Sequence, residues 1–264
     1  MNASFRLLAR DLALSLGQWR FWLALGWNDI AKQYRRSFLG PIWITLNTGI
    51  FVVAFGMVGA QLFSWDIKSY LPYFAIGHIV FSFFSAVMVE SCYVFTQAES
   101  YLKHAATPRL AHVFRGVVRN LFTLGHNGLI VLALLIWSGS LASMRVMDFI
   151  IGLTMCLIAA VLAMGIIGAL CARFRDVPMM VASVMQIMFF LTPVIWRPDQ
   201  LTERARWLVS LNPFAVFLDL MRLPLLGDPI QWNSFWAAWG VIGALLMTFL
   251  PVMAWARGRI VYWL

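Results

Sequence analysis

The sequence predicts an all-α polytopic membrane protein with six transmembrane helices, an N-terminal amphipathic interfacial helix and re-entrant outer helices between spans five and six. Three observations carry that prediction. Of 264 residues, 62% are hydrophobic and 12% charged, against roughly 45–50% and about 25% in ordinary soluble domains. So few charges cannot clothe a water-facing surface of this size, and so much apolar material excludes a disordered chain. Six stretches approach the about 20 apolar residues that a helix needs to cross a ~30 Å hydrocarbon core. The basic residues are spread unevenly around those stretches.

The chain divides into an N-terminal segment, 1–40, and a transmembrane domain, 41–264. Within the first segment, the run Phe5–Leu16 is broken by Arg6, Arg10 and Asp11, so no cleavable signal is expected. Next, Gln18–Arg36 has the spacing of an amphipathic helix. Trp19, Trp22, Leu23, Gly26, Trp27, Ile30 and Tyr34 share one face, and most of the charges lie elsewhere. Tryptophan beside basic residues suits a helix lying in the headgroup layer.

The six expected spans are 41–63, 71–94, 117–137, 149–171, 177–196 and 235–255. Pro41 and Pro72 are placed to open the first two, where a missing N–H costs nothing. With the N-terminus inside, fourteen Lys and Arg fall on the cytoplasmic side and six outside. That satisfies the positive-inside rule and puts both termini in the cytoplasm. Six acids cancel the six outer bases, so the net charge of +9 sits on the inner face. This topology explains the basic balance without nucleic acid.

Two connections stand out. The inner loop 98–120 is the longest charged cytoplasmic connection. The outer segment 197–234 contains Leu208–Leu226, which is nearly long enough to span but carries Asp219 and Arg222. Charge at the bilayer centre is costly. Asn212-Pro213 is instead a helix start, N-cap then first position. It is followed by an apolar face of Phe214, Phe217, Leu218, Met221 and Leu225. A short helix that dips into the outer leaflet and returns is expected, within a structured outer cap.

Chemical motifs are sparse. No Gly precedes a Lys, so there is no P-loop, and neither H-E-x-x-H nor G-x-S-x-G occurs. Cys92, Cys156 and Cys171 are odd in number and lack C-x-x-C spacing, which argues against disulfides and zinc. No metal and no catalytic residue is expected. His104 and His112 fall in the inner loop, where solvation is the default. His78 and His126 fall in spans, where a helix–helix hydrogen bond is expected. Glu90 is the one acid inside a span and has no evident partner, which is thin support for a proton-coupled carrier. Aromatic faces at Trp43, Phe51, Phe55, Phe189 and Phe190 are candidates for lining a sugar path, against the ordinary alternative of core or lipid contact.

Three passages then acquire meaning together. They are NDIAKQYRRSFLGPIW (Asn28–Trp43), ARFRDVPMMVASVMQIMFFLTPVIW (Ala172–Trp196) and LNPFAVFLDLMRLPLLG (Leu211–Gly227). In this order around six spans, the chain resembles the membrane (permease) subunit of bacterial type-2 ABC exporters for lipid-linked O-antigen, capsular polysaccharide or teichoic acid. The resemblance runs from about Trp27 to Trp255. It implies a homodimer in the bacterial inner membrane, with two copies of a Walker-A ATPase subunit that bind ATP and Mg. This chain itself would hold no cofactor and hydrolyse nothing.

The resemblance also makes the helix before span one a gate helix and the outer helices a cap. It makes the first inner loop an ATPase-coupling element, with Glu99, Lys103, His104, Pro108 and Arg109 as the matching positions. Arg35 and Arg36 stand where a lipid-linked pyrophosphate headgroup would be admitted, or where plain anionic phospholipid would be met. Two alternatives remain open. One is an ABC exporter of a drug or small lipid. The other is a membrane-embedded enzyme of glycan or lipid assembly, which would need clustered carboxylates; the acids here are scattered. Arg175-Asp176, the tight charged pair after span four, is expected to cap span five.

Overall fold

The computed structural model describes residues 3–35, 40, 42–105, 107–200, 202 and 207–264. Arg36 and Pro41 lie outside the described residues. The regular structure of the described residues is all helix, with no strand among them. Its helices are α1 (Ala3–Gly17), α2 (Trp19–Tyr34), α3 (Ile42–Leu62), α4 (Ile67–Ser91), α5 (Glu99–His104), α6 (Arg109–Ser138), α7 (Val146–Arg173), α8 (Val177–Leu191), α9 (Trp207–Ser210), α10 (Pro213–Leu226), α11 (Trp232–Ala256) and α12 (Ile260–Trp263).

Five of these, α3, α4, α6, α7 and α11, are long and apolar enough to cross a membrane. The fifth expected span is shorter than its apolar sequence. Its helix, α8, has 15 residues, about 22 Å at 1.5 Å per residue. Thr192 leaves the helical region at φ −86°, ψ 138°, because the ring of Pro193 disfavours helix at the residue before it. Asp176 occupies the N-cap of α8, but its side chain makes no capping bond. The expected cap by the Arg175-Asp176 pair is therefore not a side-chain one.

Four helices, α4, α6, α7 and α11, start earlier than hydropathy suggests, α4 and α6 by the most. α4 begins at Ile67, so Pro72 lies inside it, and α6 begins at Arg109, eight residues before the expected span. The second half of the expected inner loop is thus helix. Its polar first turns pack against protein, which an apolar window does not register.

α4 is the hub, with contacts to α3, α6, α7, α8 and α10. It is largely buried, whereas α3 and α11 expose most of their apolar surface. Small residues permit the close approaches. A Cβ at Gly152 would strike the backbone of Leu220, so only glycine lets α7 meet α10 there. Gly227, at φ 98°, closes α10 in the left-handed conformation. α1, α2, α5, α12 and the ends of α6 and α11 gather at the end that carries both termini, and α9 and α10 form the opposite, cap end.

Candidate coupling and transport sites

At the end bearing the termini, the node is Asp11, only 2% exposed. Its carboxylate accepts the backbone N–H groups of Arg109 at 3.3 Å and Leu110 at 3.1 Å. Those are orphan donors of the first turn of α6, whose N-cap position is held by Pro108, a residue with no side-chain acceptor. A carboxylate at a helix N-terminus is favoured by the dipole as well as by the hydrogen bonds. Arg257, just past α11, approaches the same carboxylate at 3.7 Å. One acid from α1 thereby joins the α5–α6 turn to the end of α11.

The five expected coupling residues divide here into two groups. Glu99 and Lys103 pair at 2.6 Å along α5 and are exposed, as is His104. Pro108 is buried and Arg109 half-buried, both turned toward the bundle. His112 does not sit in a solvated loop. It is buried on α6, with Nε2 2.8 Å from Thr107 Oγ1. Tyr101 links α5 to its surroundings, with ring contacts to Phe21 and His112 and the Arg115 guanidinium 5.7 Å from its centroid.

A four-ion cluster ties α2, α4 and α6 together. Arg115 donates to both oxygens of Asp29 at 2.6 and 2.7 Å, a bidentate clasp. Arg119 donates to Glu90 at 2.6 Å and lies 3.9 Å from Asp29. Asn120 also donates to Glu90, at 2.6 Å. Glu90 therefore has partners and is not the isolated acid of a proton relay. Gly26 brings the backbone of α2 against that of α6 at Arg115 and Arg119, and Ile30 is buried beside it. Arg35, at the C-cap of α2, is exposed.

The cluster's logic was partly visible in the sequence. Arg115 and Arg119 are four apart on one helical face, so their mutual repulsion calls for acids nearby. Which acids answer is a tertiary fact. α1 and Asp11 were missed because Arg6, Arg10 and Asp11 look like interruptions, although Leu8, Asp11 and Ser15 share one buried face.

In the middle of the bundle, three of the expected path aromatics meet. Phe51 and Phe55 of α3 stack with each other, and Phe51 lies 4.6 Å from the ring of His78. Phe189 of α8 meets His78 edge-on at 6.2 Å. Ring stacking, and no hydrogen bond to Nδ1 among the described residues, holds His78. His126 bonds within its own helix, to Phe122 O at 2.9 Å. Phe190 is exposed at the edge of this group, and Trp43 lies apart on the first turn of α3. Between α4 and α8 runs an open groove of about 640 Å³. Beside its aromatics, it presents His78, Ser82, Ser85 and Gln186.

The cap end is held differently. Asn212 Oδ1 accepts the Phe214 N–H at 2.9 Å, and its Nδ2 donates to Thr192 Oγ1 at 2.9 Å. Pro213 fills the first helical position, while Phe214 and Phe217 pack on Phe84 of α4. Arg222, 2% exposed, donates to Pro193 O at 2.7 Å and to Asp219 at 2.9 Å, and lies 4.0 Å over the ring of Tyr73. Burial pushes the Asp219 carboxyl above the usual carboxylate range, and Arg222 pulls it back. Arg197 lies 3.8 Å over Trp65, and the Tyr70 and Tyr73 hydroxyls donate to Ile195 O and Trp196 O, both at 3.1 Å. In the non-helical backbone that follows α8, the carbonyls of Pro193, Ile195 and Trp196 thus find donors on α4 and α10.

A family model for ABC-2 type transporters matches residues 20–226. Two curated relatives, each an "O-antigen export system permease protein RfbA" from Klebsiella pneumoniae, are 24% and 23% identical over 196 residues. The match covers 71% of this chain and 73% of each relative. The matched region holds α2 through α10, including the ion cluster, the groove and the cap, all set in a bundle of membrane-length helices. The chain belongs to the ABC-2 type transporter family, as a multi-pass membrane subunit.

Proposed function

We propose that this chain is the membrane half of an ATP-driven exporter that moves a lipid-linked polysaccharide outward across the bacterial inner membrane. It acts as a homodimer, with one Walker-A ATPase subunit under each half. Six passes with both termini cytoplasmic place the α5 turn inside, and the 15-residue α8 completes its crossing through the clamped backbone that follows it. The segment around α9 and α10 dips into the outer leaflet as a cap.

The observation that carries the proposal is the seating of the α5–α6 turn. It is fixed from α1 by Asp11, from α2 through Tyr101 and Phe21, and along α6 by the Arg115 clasp. A segment held from several helices at once passes an external push to the bundle, where a free loop would absorb it. Glu99, Lys103 and His104 form the outward surface of that turn and meet the ATPase. Pro108 and Arg109 set its position. The chain has no fuel chemistry, so work must come from the partner's different affinities for two conformations.

The polysaccharide is handled along the α4–α8 groove, whose ring faces and small polar side chains suit sugars. Phe189 and Phe190 line that path, Phe51 backs His78 behind it and Phe55 stacks on Phe51, and Arg35 with Arg36 meets the lipid-borne phosphate. The test is deletion of the gene in its native host. The proposal predicts that undecorated lipid-linked polymer accumulates inside and disappears from the surface. Normal surface polymer in the deletion strain would contradict it.

A further inference from the structure

We propose that α1 and the outer face of α2 form a cationic collar that binds anionic phospholipid headgroups of the surrounding leaflet. The collar reaches outside the part of the chain that matches the family, since α1 ends before residue 20. The two helices carry two acids between them, and both are turned inward. Asp11 is consumed by the Arg109 and Leu110 N–H groups, and Asp29 by Arg115. Arg6, Arg10, Arg20, Lys32 and Arg35 are all exposed, and none pairs with an acid among the described residues. The outer surface is therefore cationic without local compensation.

Its apolar pattern points to lipid. On α1, Leu8, Asp11 and Ser15 face the bundle, and Arg6 and Arg10 lie on the opposite side. Phe5, Leu12 and Leu16 flank one edge and Leu7 and Leu14 the other, all exposed. On α2, Trp19 and Trp27 are each 50% exposed. Leucine flanks, half-exposed tryptophans and uncompensated arginines are the composition of a helix seated at a headgroup layer. The corner between the helices is fixed by Trp22 Nε1 donating to Ser15 O at 2.9 Å, so the two present one surface. A neutral lipid would satisfy the leucines but leave the cations unmatched. Anionic headgroups satisfy both.

The proposal needs only the membrane setting, not the export reading, and its test uses neither ATP nor polymer. The full-length chain is placed in vesicles of phosphatidylcholine, with or without phosphatidylglycerol. Cys92, Cys156 and Cys171 are buried, so Leu16→Cys supplies one accessible thiol for an environment-sensitive dye. The dye is expected to report an apolar setting when phosphatidylglycerol is present, and high salt should reverse this, because surface charge is screened. The triple variant Arg6→Gln, Arg10→Gln, Arg20→Gln should lose the response by about tenfold or more. Lys at the same three positions should restore it, since a leaflet reads charge and not guanidinium shape. The same dye signal in both compositions would overturn the proposal, as would a full response from the Gln variant or a failure of Lys to restore it. A response that appears only when an ATPase subunit is added in phosphatidylcholine would assign the collar to protein docking, and would overturn it equally.

Discussion

The two ends of the bundle solve the same problem with opposite means. At the end bearing the termini, helices far apart in sequence are joined by carboxylates: Asp11 on the start of α6, Asp29 on Arg115, and Glu90 on Arg119 and Asn120. At the cap end, one buried cation, Arg222, is held by a carbonyl, a carboxylate and an aromatic face, and an Asn-Pro start fixes the helix locally. Asp11 apart, the first arrangement joins side chain to side chain across three helices, with exposure rising from 13% at Asp29 to 35% at Glu90. The second centres on Arg222, 2% exposed, and ties side chains to backbone. If the export proposal holds, the end that answers a partner is the one joined by side-chain ion pairs, and the end that holds unwound backbone is the one whose bonds go mainly to that backbone.

Substitutions sharpen the contrast. Arg222→Ala should be the most damaging, because it leaves the partly buried Asp219 without its cation and Pro193 O with only the Tyr73 hydroxyl at 3.5 Å. A loss of about 3–5 kcal/mol is expected for a broken buried pair, read as a fall in the thermal unfolding midpoint in detergent. Little change there would mean that the cap end is as adaptable as its counterpart.

Asp29→Asn should come next, at about 1.5–3 kcal/mol, the range for hydrogen bonds to charged groups. The pair is partly buried, with side chains 13% and 15% exposed. Exchanging the charges as Asp29→Arg with Arg115→Asp should recover part of the loss, which a double-mutant cycle measures. Failure of the exchange to recover anything would show that geometry, and not charge, makes the clasp.

Asn212→Ala should cost about 1 kcal/mol from the lost N-cap, with increased amide exchange confined to the first turn of α10. Exchange that spreads into α4 would show that the cap and the hub unfold together.

Glu99→Gln should be nearly silent in stability, because exposed i,i+4 pairs contribute only about 0.3–0.5 kcal/mol. Under the export reading, the double variant Glu99→Ala, Arg109→Ala should nonetheless uncouple ATP hydrolysis from export, seen as hydrolysis that no longer responds to substrate. Normal coupling in that variant would move the docking surface away from α5.

What the sequence could say follows the same division. The start of α10 was legible because Asn212, Pro213 and the apolar face after them act within one stretch of chain. The stop of α8 was nearly so, since Pro193 marks it, but a hydropathy window runs on through Pro193 and Val194 to Trp196. The early turns of α6 were not legible as helix, because their polar residues look like a loop until α1 and α2 are seen packed on them. Asp11 was the least legible of all. A buried carboxylate whose partners are backbone N–H groups of a helix about a hundred residues away leaves no pattern in its own neighbourhood. The aromatics show the same limit: their presence was plain, but only packing divides Phe51 and Phe189, which meet at His78, and Phe55, which stacks on Phe51, from Trp43, which lies apart.

Under the export proposal, an ATPase works on the seated α5–α6 turn from outside the membrane. The most direct test is mild-detergent purification of the tagged chain from its native cells. The expected result is a Walker-A protein in equal amount that hydrolyses ATP, and loss of that protein when Glu99, Lys103 and His104 are all replaced by Ala. A chain that purifies alone, with no ATPase bound at any stage, would contradict it.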